Sequence, residues 1–395
     1  MRVYHFSELP YPDVWDGRDS LRVNIPNSLY DPEVGADLYD RFFDEWQLCD
    51  ELGLDIMVNE HHSTATCVNP ACTIPLAILA RITKKSRLLA LGVPIANRPN
   101  PVRVAEELAM IDVISRGRLD MGLVRGAPYE IPPTNAKPVG QMERFWEAHD
   151  LVLKAMTTRD GPFSWESENY HYRQVNIWPR PFQDPHPPVW VTATSPSSAP
   201  RIAENRHVIA TLISGVIAKD LFKAYRDNAR AAGWEPGLDR FAYCAVVGVG
   251  ETEEEGLRRG DEIANYIRTS PVVAKQYSVP PGYKKIPAEI ATIRAGPNAG
   301  NRPLITPEGR KIDQKTASVE DFIEACSVFA GTPDQVYDQI ARFYDLTGGF
   351  GSLLMMGQGG NLGHEDTVAN LTLFSKEVMP RLQELKNRPL AMTAE

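Results

Sequence analysis

Short, almost uninterrupted apolar runs recur along this 395-residue chain, and an amphipathic stretch follows nearly every one of them. The runs lie at 3–6, 55–59, 88–93, 119–124, 189–193, 208–213, 241–249 and 351–356. An apolar run without polar alternation is what a strand covered on both faces requires. The intervening stretches, 37–52, 73–84, 102–115, 142–156, 199–205, 219–232, 253–267 and 334–346, carry helical periodicity, and a last one, 365–385, follows the eighth run. Eight strand–helix repeats predict an α/β chain closed into a (β/α)8 TIM barrel. A doubly wound open sheet is the alternative, but no break in composition divides the repeats. Barrels with insertions reach this length as one unit, so residues 1–395 are read as a single domain.

Two segments fall outside the alternation. Residues 157–188, before the fifth strand, are rich in aromatics and proline (Phe163, Trp165, Tyr170, Tyr172, Trp178, Pro179, Pro181) and read as a hairpin plus a loop. Residues 270–331, before the eighth strand, are longer and irregular, with Pro280-Pro281-Gly282 inside them. Loops of this length in compact domains are usually functional lids or disordered, so 270–331 is expected to be a mobile active-site loop. Together the two insertions suggest a pocket for an organic molecule rather than a gas.

The net charge of -9 and the lack of a Lys/Arg-rich tract argue against nucleic acid as a partner. No stretch is long and apolar enough to span a membrane, and residues 1–8 lack the apolar core of a signal peptide. Five scattered cysteines suit a reduced, cytoplasmic protein.

The second apolar run ends abruptly in Asn59-Glu60-His61-His62. Polar, titratable residues at the C-terminal end of a barrel strand are where such folds keep their chemistry. A metal-dependent hydrolase is one reading, with Glu60, His61, His62, Cys67 and Cys72 as ligands. A metal centre needs three or four converging ligands, and no His-x-His, His-Glu-x-x-His or second histidine cluster supplies the rest, so no metal is expected. The fifth run leads into Thr194-Ser195-Pro196-Ser197-Ser198, hydroxyl residues opening a helix without a competing acid. That is anion-site chemistry, although plain capping would use the same residues. Arg125, at the end of the fourth run, is the cation such a site would use, and Gly126 beside it would allow close backbone approach. The Gly248-Val249-Gly250 turn is a poorer phosphate site, because Glu251, Glu253, Glu254 and Glu255 crowd its helix start.

Taken together, these places resemble the bacterial luciferase-like family of flavin-dependent monooxygenases. The similarity runs from Glu60-His61-His62 and Asn69-Pro70 through Pro101-Val102-Arg103 and Gly117-Arg118 to Arg125-Gly126. It continues in Pro188-Val189-Trp190-Val191 as far as Ser195 and Ser198, and closes on Leu373-Phe374-Ser375-Lys376-Glu377-Val378-Met379-Pro380. The resemblance implies a (β/α)8 barrel that binds reduced FMN delivered by a separate NAD(P)H-dependent flavin reductase. It also implies O2 as co-substrate and oxygenation of a small organic substrate through a flavin peroxide. Position by position, His61 matches the histidine near the reactive flavin edge and Arg125 the phosphate-binding arginine. Ser195 and Ser198 match hydroxyls on that phosphate, with the Thr194 backbone beside them. Gly92-Val93 falls where many members carry a non-prolyl cis peptide under the flavin ring. His62 is expected behind His61, on the opposite side of the strand. His5, Glu60 and Asn97 are weaker candidates for the substrate pocket, with Glu60 expected to orient a neighbour or close a salt bridge. A homodimer through helices near the second and third strands is implied as well. The chain departs from luciferase itself at Val124, which replaces a reactive thiol. Relatives that use the deazaflavin F420 for hydride transfer supply the alternative function.

Overall fold

The computed structural model describes residues 1–18, 20–269, 273–284, 286–294 and 303–385. In chain order its regular elements begin β1 (Arg2–Ser7), α1 (Pro32–Leu52), β2 (Asp55–Val58), α2 (Thr73–Ile82), β3 (Leu88–Pro94), α3 (Pro101–Ser115), β4 (Leu119–Val124) and α4 (Gln141–Thr157). A hairpin, β5 (Phe163–Glu166) and β6 (His171–Val175), precedes β7 (Val189–Thr192), α5 (Ala199–Glu204), β8 (Val208–Leu212), α6 (Ile217–Ala231), β9 (Phe241–Val249) and α7 (Glu253–Thr269). There follow α8 (Lys275–Ser278), α9 (Ile286–Arg294), β10 (Leu304–Ile305), β11 (Lys311–Ile312), α10 (Val319–Glu324), β12 (Val328–Gly331), α11 (Pro333–Thr347) and β13 (Ser352–Gln358). The described chain closes with α12 (His364–Leu373), a π-helical turn at Phe374–Val378 and α13 (Met379–Leu385).

Eight parallel strands form the closed barrel, in the order β1-β2-β3-β4-β7-β8-β9-β13, with β13 returning to β1. Side chains alternate across each strand. Tyr4, Phe6, Met57, Leu89, Trp190, Cys244 and Met356 fill the barrel interior. Val3, Ile56, Val58, Ala90, Val191 and Leu353 face the helices. Each Val, Leu, Ile, Phe or Met among them, taken fully out of water, contributes about 1.5–3 kcal/mol. The strands need no polar face because both faces are covered, which is why the eight runs were legible.

Of the segment 270–331, expected to be a mobile loop, residues 270–272, 285 and 295–302 lie outside the described residues. Its last part, α10 and β12, is regular, and β12 pairs in parallel with the end of β9, Val246 to Val249. β9 pairs with β8 only over Phe241 to Cys244, so β12 takes over where β8 leaves. Within 157–188, β5 and β6 pair antiparallel as a hairpin. Lys154 of α4 lies over the Phe163 and Trp165 rings, and Tyr172 hydrogen-bonds Asn100 at the start of α3, so these aromatics cover helices.

Candidate functional site

The C-terminal strand ends carry the polar residues. Met57 points inward and Val58 outward, so alternation turns Asn59 and His61 into the barrel and Glu60 outward. Val68 N–H bonds the Leu9 carbonyl, His61 N–H bonds the Asn69 carbonyl, and the Asn69 amide bonds the Asn59 carbonyl, which together set the β2 end.

His61 sits between two carboxylates. Its Nδ1 is 2.7 Å from Glu130 Oε1, and its Nε2 is 3.5 Å from Glu8 Oε2. Glu8 follows β1 on the inward parity of Tyr4 and Phe6, and accepts a bond from Asn59 Nδ2 at 2.7 Å. Glu130 ends a short turn, Pro128–Glu130, and its other oxygen accepts the Ala127 N–H at 2.9 Å. The Tyr129 hydroxyl lies 3.2 Å from His61 Nδ1. Arg22 stacks 4.4 Å over the Tyr129 ring and hydrogen-bonds both the Tyr129 hydroxyl and that of Tyr266 from α7. Arg22 is brought there by an extended pairing of its loop with Thr64.

Burial alone would lower the His61 pKa. The Glu130 carboxylate outweighs it, with help from Glu8, and holds the imidazole above its ordinary value. Burial would raise the Glu130 carboxyl, and His61 instead holds it below the usual range. About a fifth of the His61 side chain stays exposed, so the ring reaches the barrel mouth.

Arg125 lies two strands away at the same level. Val58, Ala90 and Met121 are ladder partners, and His61 and Arg125 follow three and four residues beyond them. Strands are about 4.8 Å apart, which separates the two by on the order of 10 Å. Leu123 pairs with Val191, and that register carried forward sets Arg125 beside Ala193, just before Thr194 and Ser195. Ser195 Oγ is 2.8 Å from Ser197 Oγ, and the Ser195 carbonyl accepts the Ser198 N–H at 3.0 Å. Tyr283, from the segment between α8 and α9, stacks on Arg125. Asn97 is buried, and its carbonyl oxygen accepts from Gln141 Nε2 at 2.8 Å. The same amide of Gln141 reaches the Arg125 carbonyl, so Asn97 and Gln141 brace the arginine from below. Gly126 has φ +92, and a Cβ there would stand 2.7 Å from Asn97 Nδ2. Its glycine is therefore demanded by backbone and packing.

Several sequence expectations are corrected. The non-prolyl cis peptide joins Leu91 and Gly92, one bond before Gly92-Val93. A Cβ on Gly92 would come within 2.5 Å of Val124, and Val93 turns its side chain outward into the helix layer. His5 shares the outward parity of Val3, and a Cβ on Gly357 would touch both His5 and Leu371 of α12, so His5 lies behind the barrel wall rather than in the pocket. Glu60 is buried outside the barrel too. It binds Arg98 at 2.6 Å, His62 at 3.1 Å and the Cys72 N–H at 3.2 Å, closing a salt bridge and not lining the mouth. At Gly248 and Gly250 a Cβ would stand 2.3 Å from backbone nitrogens of α7, so these glycines serve helix packing. Glu8, Arg22, Tyr129 and Glu130 were missed. Inward parity beyond Phe6 was the available signal for Glu8; the other three come from loops without a motif. Among the described residues no group of three His, Cys, Asp or Glu converges as metal ligands, and no helix is long and apolar enough to cross a membrane.

A closed (β/α)8 barrel with polar residues gathered at its C-terminal mouth has the architecture of the barrel enzymes, and the sequence narrows the class. Residues 26–349 match the luciferase-like monooxygenase family, and the chain belongs to that family. It is 33% identical over 187 residues to the oxygenase component of a flavin-dependent trigonelline monooxygenase from Acinetobacter baylyi, covering 46% of this chain and 50% of that one. It is 30% identical over 202 residues to an uncharacterised protein of Sinorhizobium fredii, covering 50% and 56%. The aligned stretches thus span about half the length of these relatives. Among solved structures, monooxygenase RslO1 from Streptomyces bottropensis matches with a TM-score of 0.72 at 20% identity, covering 97% of this chain and all of that one. The oxygenating constituent of 3,6-diketocamphane monooxygenase from Pseudomonas putida, solved with FMN, matches at 0.69 and 20%, covering 96% and 98%. At those identities the structural likeness establishes the shared fold.

Proposed function

We propose that this chain is the oxygenase component of a two-component monooxygenase. In this reading it takes reduced FMN from a separate NAD(P)H-dependent flavin reductase and uses O2 to oxygenate a small organic substrate. The observation that carries the reading is that Arg125, with Ser195 and Ser198 after the next strand, stands two to three strands round the same barrel mouth from His61, in a chain of this family. The donor set suits a flavin phosphate: one guanidinium, small hydroxyls, and a helix start free of acids. Beside His61 a phosphate would be repelled, because Glu8 and Glu130 stand there. In this reading the flavin binds with its phosphate toward Arg125 and its ring toward His61.

Reduced FMN, when bound, supplies the electrons that activate dioxygen. The protein's own work is to hold and exchange protons. His61 Nε2 faces the mouth and can give or take a proton beside the reacting atoms. Arg125, with Thr194, Ser195 and Ser198, anchors the cofactor; Gly92 keeps the barrel wall flat where a side chain would intrude. An apolar face on α2 and α3, with Ile74, Ile78, Ile82, Met110, Val113 and Ile114 exposed, supports assembly as a homodimer.

Titration of the protein with reduced FMN, reduced FAD and reduced F420, each followed by O2, tests the reading. Tight binding of reduced FMN and rapid reoxidation on the protein are expected. Selective binding of F420 without oxygen reactivity would replace it with hydride transfer.

A further inference from the structure

His61 makes a different contact through each ring nitrogen. Nδ1 lies 2.7 Å from Glu130 Oε1, a charge-assisted distance, while Nε2 lies 3.5 Å from Glu8 Oε2. A carboxylate only accepts hydrogen bonds. A bare Nδ1 lone pair set 2.7 Å from that oxygen would be repulsive, so the proton belongs on Nδ1.

Glu130 is held rigidly in place. It is buried, its second oxygen is held by the Ala127 N–H, and the Pro128–Glu130 turn fixes its backbone. The Tyr129 hydroxyl is the other group near Nδ1, at 3.2 Å, and it is already engaged by the Arg22 guanidinium. The other titratable groups around the pair are Glu8 from the end of β1, His62 next in the chain, whose charge bears on Glu130, Cys67 behind Asn59, and Tyr266 from α7 behind Arg22.

We infer that Glu130 is a positioning residue for His61, committing the imidazole to an Nδ1–H form so that Nε2 alone meets a reacting group at the barrel mouth, with Glu8 as its proton partner there. The inference rests on the reading of His61 as the proton-handling residue. When His61 gives up a proton from Nε2, the positive charge leaves the ring and the Nδ1–H···Glu130 bond remains. When it takes one, Glu130 and Glu8 flank the imidazolium with negative charge. The raised affinity of the ring for a proton, caused chiefly by Glu130 against the opposing effect of burial, agrees with that arrangement. Neutral histidine in water favours the other tautomer, with the proton on Nε2, so the Nδ1–H form is a discriminating signature.

The test is histidine NMR on protein carrying labelled imidazole, with His61→Asn identifying the signal. The wild-type ring is expected to show Nδ1 protonated and Nε2 deprotonated above its pKa. In Glu130→Gln, which keeps size and removes charge, the His61 pKa is expected to fall by about one to two units. Glu130→Asp should recover much of the loss, as a merely space-filling role would not. The pH midpoint for reoxidation of bound reduced FMN by O2 should move down in Glu130→Gln by a similar amount. A wild-type ring protonated on Nε2, or a His61 pKa unmoved in Glu130→Gln, would overturn the inference. Failure to bind reduced FMN would instead overturn the flavin reading, and the NMR signature would still decide the role of Glu130.

Discussion

The Arg125 guanidinium lies 4.4 Å from the centre of the Tyr283 ring and donates a hydrogen bond to its hydroxyl. The cation suited to a phosphate is thus covered by an aromatic side chain of the same protein. A cation–π contact at a partly exposed site is worth about 0.5–1 kcal/mol, and a hydrogen bond to a charged group about 1.5–3 kcal/mol before competition with water. A ligand that takes over Arg125 must displace Tyr283. Tyr283→Ala is therefore expected to tighten equilibrium binding of reduced FMN by roughly three- to tenfold, and Tyr283→Phe by less. Anaerobic fluorescence titration measures both. Weaker binding in Tyr283→Ala would show that the tyrosine holds the ligand rather than competing with it.

Removing the cation itself should act in the opposite direction. Arg125→Ala is expected to weaken reduced FMN by about ten- to a hundredfold, the equivalent of about 1.5–3 kcal/mol for a charge-assisted phosphate contact. Arg125→Lys should recover only part of this, since an ammonium lacks the planar fork. Riboflavin, which has no phosphate, is the control: its affinity should hardly change. An unchanged FMN affinity in Arg125→Ala would remove the arginine from the phosphate site.

On α2, Ile74, Ile78 and Ile82 recur every fourth residue and are 64%, 42% and 37% exposed, which places one apolar ridge along the helix. Met110, Val113 and Ile114 of the neighbouring α3 extend it. A charge at its centre cannot be buried without a partner. Ile78→Glu is expected to convert a dimer to a folded monomer in sedimentation equilibrium, with an unchanged circular dichroism spectrum. A wild-type chain that sediments as a monomer at tens of micromolar would sink the assembly.

Barrel and cluster differ in how far the sequence reveals them. The strands were legible because burial on both faces leaves an apolar signature that polar alternation cannot mimic, as in Leu88–Pro94 and Phe241–Val249. β12 was not, because Val328–Gly331 is only four residues long and lies at the end of a segment that reads as loop. His61 and Arg125 were readable as polar breaks at strand ends. Glu130 and Arg22 were not, because they reach the site by loop geometry, and only the folded chain brings positions 22, 61 and 130 together. His5 misled because a histidine on a strand advertises chemistry, while the pleat decides whether it faces the pocket or the helices.

His5 supplies the last prediction. It is fully buried, and among the described residues neither ring nitrogen has a hydrogen-bond partner. Burial lowers its pKa from 6.5 to about 3. The unfolded chain takes up a proton at this residue below pH 6.5, whereas the folded chain refuses it until about pH 3. Its contribution to stability is therefore flat above pH 6.5 and falls with acidification through that window. The slope approaches about 1.4 kcal/mol per pH unit, or roughly 2 kcal/mol lost by pH 5. His61 has the opposite sign, since its raised pKa favours the fold below pH 6.5 and that gain is lost as pH rises through the folded value. His5→Leu removes two unsatisfied buried polar atoms at similar volume, so it should raise stability at pH 7 by about 1–3 kcal/mol. It should also flatten the acid limb by about one proton between pH 6.5 and 4. Urea unfolding across that range measures both effects. A variant with the wild-type acid slope would mean that His5 is protonated, or hydrogen-bonded, inside the folded barrel.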